Sequence, residues 1–433
     1  MCGLAGFLRT PSTPDRAAHK DWLARMGESI RHRGPDAGAI WTDDEVGLVH
    51  RRLSIIDLSE AGNQPMVSAS GRYVIVFNGE IYNFQELREH LCREGHVFRT
   101  GTDTEVLLTL YETMGPECLG QLNGMFAIAV WDKTASSLFL ARDRLGKKPL
   151  YFYHNAGHFA FASEIKALLP LPFLNTELRH DAIKDFFAYQ YVPDPKTIYR
   201  NIYKLPPGHW LETDGVKVQQ AQYWDLAFDN PSSRSADSLA EELYALIDDA
   251  VRLRMVSDVP LGAFLSGGVD SSAVVGLMAG HSQRPVTTCS IGFDSRHFDE
   301  VVWAQKVANQ FGTDHHEFTV KENVAGSLGK ISRYFDEPFA DPSFVPTYFV
   351  SQLARQKVTV ALAGDGGDEN FAGYSKYRTD QIENQIRSLV PGGIRRSLFP
   401  LLARMLGQMD NTPAKKANSL LGTLATEPDQ AFY

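Results

Sequence analysis

The feature that most constrains the fold is a set of short apolar segments after Leu239, each of which ends in a glycine-rich turn. The segments are PLGAFLSGG, VTTCSIGF and VTVALAGDGG, and stretches with helical spacing such as DEVVWAQKVANQFG separate them. Strands that alternate with helices are typical of a parallel sheet with helices on both faces. We therefore expect an α/β doubly wound parallel-sheet domain over residues 238–433.

The first half of the chain has a different pattern of apolar residues and turns. Short β-type runs such as RYVIVFNGEIYN, MFAIAVWD and HFAFAS lie between turn signals, with helical stretches such as FQELREHLCREG among them. This pattern predicts an α+β domain of layered sheets over residues 1–205. Residues 206–237 are rich in Pro, Gly and Ser and predict a linker or a last edge hairpin. A chain of 433 residues is long enough for two or three domains of this kind.

Composition narrows the class of protein. The 43 basic and 52 acidic residues give a net charge of −9, and no Lys/Arg run is present, so we expect no nucleic-acid partner. The apolar runs are strand-sized and the start of the chain lacks the pattern of a signal peptide, so we expect no membrane insertion and a cytoplasmic enzyme. Cys92, Cys118 and Cys289 belong to no CxxC motif, which favours free thiols.

Cys2, followed by a small glycine, has two interpretations. It is either an incidental cysteine near a processed terminus or an N-terminal nucleophile whose own freed α-amine acts as its base. Residues suited to an amino-acid substrate favour the second. Arg52 can bind an α-carboxylate, Glu80 or Asp103 can bind an α-ammonium group, and Asn78 with Gly79 can donate to an oxyanion.

The turn SGGVDSS at 266–272 follows an apolar strand and precedes a helix, an arrangement that points backbone N–H groups at an anion. Its Asp270 and serines suit a pyrophosphate with its magnesium, and the spacing is not that of a kinase-type P-loop. A second acidic turn, AGDGGDE at 363–369, also follows a buried strand. It is either part of the same crevice or a solvated acidic loop.

The first half resembles class II glutamine amidotransferases, and more narrowly the glutaminase domain of the asparagine synthetase B family. The resemblance rests on CGLAG, RHRGPD, RLSIID, FNGEIYN, GTDTEV and ARDRLGKKPLY, in this order. It implies an N-terminal-nucleophile sandwich in which Cys2, Asn78 and Gly79 are catalytic. It also implies a glutamine-binding set made of Arg52, Leu53, Ser54, Ile55, Ile56, Asn78, Gly79, Glu80 and Asp103. Arg33, Asp57, His32 and His50 are better explained as packing, loop or ion-pair residues.

The second half resembles the N-type ATP pyrophosphatases, and SIGF with GDGGDENFAGY resembles their asparagine-synthetase branch. The resemblance implies ATP as substrate, Mg²⁺ held by Asp270 and Asp368, and relatives that are often homodimers. It assigns ATP binding to Leu265, Ser266, Gly267, Gly268, Asp270, Ser271, Ser272, Ile291, Ala363 and Gly364. DEPFADPS at 336–343 also fits the family: it lines the acceptor pocket, or Asp336 or Glu337 caps the next helix.

Three functions remain open at this point. The first is a glutamine-hydrolysing asparagine synthetase that uses glutamine, aspartate and ATP. The second is a related amidotransferase that acts on another carboxylate, such as an envelope or exopolysaccharide precursor. The third is a non-synthesising regulatory or binding protein on the same fold. Because relatives continue well beyond the point where this sequence stops, the second domain is expected to be C-terminally incomplete.

Overall fold

A computed structural model describes residues 1–9, 16–228, 232–293, 301–320, 324–407 and 412–427. These divide into two compact units, residues 1–363 and residues 364–433, and each is described by itself. No helix in the described ranges is long and apolar enough to cross a membrane.

The first part of unit 1 contains two sheets of six antiparallel strands. The strands are β1 (Gly3–Leu8), β2 (Ala37–Thr42), β3 (Val46–Arg52), β4 (Met66–Val67), β5 (Tyr73–Ile81), β6 (Gly124–Asp132), β7 (Ser137–Arg142), β8 (Tyr151–Asn155), β9 (His158–Ala162), β10 (Ile202–Lys204), β11 (His209–Thr213) and β12 (Val218–Gln222). The first sheet has the order β10-β8-β9-β1-β3-β2, and the second has the order β12-β11-β7-β6-β5-β4. The hairpin of β11 and β12 forms the edge of the second sheet and occupies part of the Pro/Gly/Ser-rich segment.

Strand β5 shows why the two sheets stack. Side chains alternate between the faces of a strand, so Val74 and Val76 point one way while Ile75 and Phe77 point the other. Val74 and Val76 join a core that also contains residues of the first sheet, whereas Ile75 and Phe77 join a core beneath helices. The result is two sheets packed face to face with helices outside them, as the sequence predicts. The helices of this part are α1 (Arg16–Ser29), α2 (Phe84–Arg93), α3 (Asp103–Met114) and α4 (His180–Tyr189).

A buried histidine joins the two sheets. His50 on β3 contacts the carbonyl oxygen of Phe77 on β5 through Nε2 at 3.0 Å, and its side chain is fully buried. Burial lowers the pKa of His50 to about 4, so the ring is neutral and serves as a structural hydrogen-bonding group. This fits the sequence interpretation of His50 as a packing residue.

The rest of unit 1 contains a parallel sheet of order β15-β14-β13-β16, as expected for the doubly wound class. Its strands are β13 (Leu261–Phe264), β14 (Thr287–Phe293), β15 (Asp314–Val320) and β16 (Val360–Leu362). Its helices are α5 (Ala236–Arg254), α6 (Val269–His281), α7 (Val301–Phe311), α8 (Val324–Ile331) and α9 (Phe344–Ala354). Unit 2 is helical and contains α10 (Gly367–Phe371), α11 (Ser375–Leu389), α12 (Gly392–Gly407) and α13 (Thr412–Ala425).

Candidate active site

The pairing of β1 with β3 sets the surroundings of Cys2. Gly3 lies opposite Arg51, so Cys2, one residue before β1, lies beside the end of β3 and the loop after it. The Leu53 N–H donates to Cys2 Sγ at 3.4 Å, and the thiol contacts the Leu53 carbonyl oxygen at 3.7 Å. Burial raises the pKa of the Cys2 thiol above its usual value, so a base is needed to form the reactive thiolate near neutral pH.

The end of β5 supplies the second wall of the site from the other sheet. Gly79 must lack a side chain, because a Cβ there would lie 2.2 Å from the backbone oxygen of Met125 on β6. Glu80 follows, and the Ile81 N–H donates to Asp103 Oδ2 at 3.0 Å. Asp103 is the first residue of α3, so this hydrogen bond holds the start of the helix against the end of the strand.

These elements enclose one small cavity. Of the residues that the sequence assigned to glutamine, the cavity is lined by Cys2, Arg52, Leu53, Ile55, Ile56, Gly79, Glu80 and Asp103. Two assigned residues lie outside the lining. Ser54 donates its backbone N–H to Asp36 Oδ2 at 2.9 Å, and Asn78 is a buried residue of β5 next to the lining residues Phe77 and Gly79. The lining also includes residues that the sequence did not single out, namely Gly62, Gln64, Phe77, Thr102 and Thr104.

Two neighbouring carboxyl groups give the cavity an affinity for a cation. Burial, followed by the proximity of Asp103, raises the pKa of Glu80 to about 8. Burial likewise raises the pKa of Asp103 to about 6, although the Ile81 N–H opposes the shift. Carboxyl groups with raised pKa values ionise readily once a cation binds between them. An α-ammonium group is such a cation.

Arg52 lines the cavity while its guanidinium group holds the loop that follows β3. Nη1 donates to the Ser59 carbonyl oxygen at 2.8 Å and to Asn63 Oδ1 at 3.0 Å. Nη2 donates to the carbonyl oxygens of Ile56 at 3.3 Å and Asp57 at 2.5 Å. Arg52 therefore shapes the wall of the cavity, and a bound carboxylate would compete with these loop acceptors for its Nη hydrogens.

Asn78 has an unusual environment for a buried amide. Its side chain is 1% exposed, and neither Nδ2 nor Oδ1 has a hydrogen-bond partner within the described residues. Buried amides are almost always paired, so an orphaned one marks a site that a ligand or water completes. The amide fits an oxyanion donor that engages when substrate is bound.

Two basic residues near Cys2 have contacts that the sequence did not predict. Arg33 forms an ion pair, as the sequence predicted, with Glu164 at 2.8 Å, and its Nε also donates to the Cys2 carbonyl oxygen at 2.9 Å. Lys148 was not singled out, although its side chain is buried in the same region. Burial, reinforced by Arg33, lowers the pKa of Lys148 to about 8, while the nearby Glu80 and Cys2 oppose the shift. Their positions in RHRGPD and GKKPLY are the signal that could have drawn attention to them.

The glycine-rich turn lies between β13 and α6. Gly267 adopts φ +83°, and a Cβ there would lie 2.5 Å from the backbone nitrogen of Ala304, so a side chain would be excluded. Ser266 Oγ accepts from the Gly268 N–H at 3.2 Å and lies 3.0 Å from Ser271 Oγ. This compact turn precedes a helix of thirteen residues, whose positive end favours an anion.

The other residues assigned to ATP lie at the carboxyl edge of the parallel sheet or in the turn. Leu265 follows β13, Ile291 lies near the end of β14, and Ala363 follows β16. Asp270 and Ser272 lie in the first turn of α6. A carboxylate beside a phosphate-binding turn is the donor that Mg²⁺ accepts together with phosphate oxygens, so this residue set fits the ion. Gly364 and Asp368 belong to unit 2, where Asp368 lies in α10 and its carbonyl oxygen accepts from the Gly373 N–H at 3.0 Å.

Asp336 and Glu337 do not cap the next helix. The N-cap of α9 is Ser343, and Ser343 N–H donates to Asp341 Oδ1 at 2.8 Å. Asp336 and Glu337 instead pair with lysines of the first domain, one in the 3-10 turn Ile165–Ala167 and one on β10. Asp336 pairs with Lys166 at 3.2 Å, and Glu337 pairs with Lys204 at 2.5 Å.

Each half of the sequence matches a known domain family. Residues 1–224 match the glutamine amidotransferase domain family, and residues 242–431 match the asparagine synthase family. A putative glutamine-hydrolysing asparagine synthetase 2 of Methanocaldococcus jannaschii is 40% identical over 410 residues, which cover 88% of this chain and 78% of that protein. The chain belongs to the glutamine-hydrolysing asparagine synthetase family.

Other members of this family differ in length and in name. Glutamine-hydrolysing asparagine synthetase 1 of Bacillus subtilis is 38% identical over 408 residues, and the match covers 94% of this chain and 64% of that protein. A Gibberella zeae protein named amidase chry2 is 31% identical over 412 residues, covering 88% of this chain and 60% of that protein. The chain therefore spans about two thirds of the length of several family members.

Proposed function

We propose that this family member makes an amide from a carboxylic acid, with Cys2 releasing the ammonia from glutamine. Residues 1–205 are the glutaminase part and residues 238–433 belong to the part that activates the acceptor. The observation that carries the proposal is the cavity, which is lined by Cys2 before β1, Glu80 on β5 and Asp103 at the start of α3. A nucleophile, a cation-binding carboxyl pair and Arg52 around one cavity suit an α-amino acid whose side chain reaches the thiol.

The hydrolysis would begin with removal of Met1. The freed amine of Cys2 then accepts the thiol proton, since an α-amine titrates near neutral pH. The thiolate attacks the amide carbon of glutamine, and Asn78 Nδ2 with the Gly79 N–H stabilises the oxyanion. The C–N bond breaks as the amine returns its proton to the leaving ammonia. Water then attacks the thioester carbon, giving glutamate and the free thiol.

The ammonia would be used at the parallel sheet. ATP would bind with its pyrophosphate on Ser266–Ser272 and its adenine and ribose near Leu265, Ile291 and Ala363. Mg²⁺, which Asp270 would hold together with phosphate oxygens, would neutralise charge on the departing pyrophosphate. The acceptor carboxylate would form an acyl-adenylate, which ammonia converts to the amide with release of AMP. Aspartate is the acceptor that we propose, giving asparagine.

The first experiment measures glutamate release from glutamine alone. Wild type should hydrolyse glutamine, and Cys2→Ala should lose activity by at least about a thousandfold, as expected for removal of a covalent nucleophile. Cys92→Ala is the matched control, because Cys92 is an exposed cysteine on α2. If Cys2→Ala hydrolyses glutamine as fast as Cys92→Ala does, Cys2 is not the nucleophile.

A second experiment identifies the acceptor. Purified protein receives ATP, Mg²⁺ and ammonium, and pyrophosphate is measured with aspartate or with other carboxylates. Aspartate-dependent pyrophosphate, retained in Cys2→Ala with ammonium as nitrogen donor, is the expected result. The relative named an amidase is the reason to include other acceptors, and pyrophosphate that ignores aspartate but needs another carboxylate would replace aspartate in the proposal.

A further inference from the structure

A chain of ionic hydrogen bonds connects Cys2 to the segment after α8. Arg33 Nε donates to the Cys2 carbonyl oxygen at 2.9 Å, and its Nη1 donates to Glu164 Oε1 at 2.8 Å. Lys166 Nζ donates to Glu164 Oε2 at 2.7 Å. The same Nζ lies 3.2 Å from Asp336 Oδ1, and the Lys166 N–H donates to Asp336 Oδ2 at 3.2 Å.

The side chains in this series of hydrogen bonds are largely buried. The four side chains are between 9% and 20% exposed, so water screens their charges poorly. Burial alone would raise the pKa of Glu164, but hydrogen bonds from His32, Lys166 and Arg33 lower it to about 2. Glu164 is therefore a fixed negative charge that holds two cations in place. A shift in the position of either cation therefore changes the hydrogen bond between Glu164 and the other cation.

We propose that Asp336 is a positioning residue for the glutaminase nucleophile, acting through Lys166, Glu164 and Arg33. The inference rests on the proposed role of Cys2. Lys166 Nζ contacts two carboxylates, those of Asp336 and Glu164. If Asp336 loses its charge, the ammonium group of Lys166 moves toward Glu164. Glu164 then holds Arg33 less tightly, and the Cys2 carbonyl oxygen loses its fixed donor. Movement of residues 334–337 would in this way adjust glutamine hydrolysis.

Glu337 provides a matched control at the same interface. Its Oε1 lies 2.5 Å from Lys204 Nζ, and its Oε2 accepts from the Ile198 N–H at 3.2 Å. Lys204 donates onward to the Val192 carbonyl oxygen and lies 3.9 Å from Asp194 Oδ1, so among the described residues this pair has no hydrogen bond to Glu164 or Arg33. Asp336 and Glu337 are therefore adjacent carboxylates that pair with first-domain lysines, and the Asp336 pair is the one joined to the Cys2 carbonyl oxygen through Glu164 and Arg33.

The experiment compares Asp336→Asn, Asp336→Glu and Glu337→Gln, each combined with Cys92→Ala. Two quantities are measured: kcat/KM for glutamine without ATP, and the rate of Cys2 alkylation by iodoacetamide as a function of pH. Asp336→Asn should lower kcat/KM about fivefold and change the alkylation profile, because a displaced carbonyl donor changes the local geometry of Cys2. Asp336→Glu should recover most of the loss. Glu337→Gln should stay within about twofold of the kcat/KM of its parent, because Glu337 has no hydrogen bond to Glu164 or Arg33 among the described residues.

A double-mutant cycle with Lys166→Met separates positioning from simple loss of stability. If Asp336 acts through Lys166, Asp336→Asn should have little further effect once Lys166 is Met. Equal glutaminase activity in Asp336→Asn and its parent, or an equal loss in Glu337→Gln, would overturn the inference. Additive losses in the cycle would do so as well. Failure of the proposed function itself has a separate sign, which is hydrolysis by Cys2→Ala.

Discussion

Gly62→Ala tests the idea that Arg52 and its loop form the glutamine-binding wall. A Cβ at Gly62 would lie 2.3 Å from Arg52 Nη2 and 2.8 Å from Thr102 Cγ2. Ordinary contacts start at 3.4 Å, so the Arg52 guanidinium must move by about 1.1 Å. Gly62 has no positive φ, so this overlap, and not backbone strain, is the perturbation.

The expected loss follows from the hydrogen bonds of Arg52. Its Nη2 bond to the Ile56 carbonyl oxygen is 3.3 Å long and cannot survive a movement of this size away from the loop. A hydrogen bond to a charged group contributes about 1.5–3 kcal/mol. Because the guanidinium and the loop both line the cavity, we expect kcat/KM for glutamine to fall roughly ten- to a hundredfold.

The assay is glutamate release from glutamine, with Gly120→Ala as control. Gly120 has no atom within 4 Å of its would-be Cβ and no positive φ, so its substitution should leave kcat/KM unchanged. Ammonium-dependent pyrophosphate release should be the same in both variants, since it bypasses the cavity. The reasoning is refuted if Gly62→Ala and Gly120→Ala hydrolyse glutamine equally well.

Three other predictions concern binding, catalysis and stability. In calorimetry, the Cys2→Ala protein should bind glutamine about tenfold more tightly at pH 8 than at pH 6. The pKa values of Glu80 (about 8) and Asp103 (about 6) are raised, so the pair gains its negative charge as the pH rises through this interval. Glu80→Gln should reduce this dependence of affinity on pH. Asn78→Ala should lower kcat for glutamine hydrolysis about 100- to 1,000-fold with a small change in KM, since an oxyanion donor acts mainly in the transition state. Leu140→Ala removes a fully buried side chain between the sheets and should lower the free energy of unfolding in urea by about 2–5 kcal/mol.

The sequence predicted the layered architecture because side-chain periodicity is a local property. The alternation along β5 and the apolar strands before glycine-rich turns are visible without knowledge of the tertiary structure. Most of the glutamine set also gathers around one cavity, which its motifs implied. These features need only that each segment take the conformation that its own residues favour.

Contacts between distant segments could not be predicted in the same way. The pairing of Gly3 with Arg51 depends on a register between strands separated by a helix, and it decides which backbone groups surround Cys2. The role of Arg33 depends on Glu164, 131 residues further along the chain. Of the two alternatives for Asp336 and Glu337, helix capping was wrong for a similar reason. Lysines of the first domain compete for these carboxylates more effectively than the helix terminus does.

The link between the two sheets at His50 and Phe77 has a consequence for how this site can evolve. Cys2 belongs to one layer and Asn78 to the other. The thickness of the core between the layers therefore sets the distance between the proposed nucleophile and the proposed oxyanion donor. A side chain such as Val76, which never meets substrate, therefore acts as a spacer for catalysis. In a library of variants selected for growth with glutamine as nitrogen donor, we expect substitutions in this core to be tolerated only when the change in side-chain volume is small. Substitutions in the core beneath α2 and α3 should tolerate a larger change in side-chain volume.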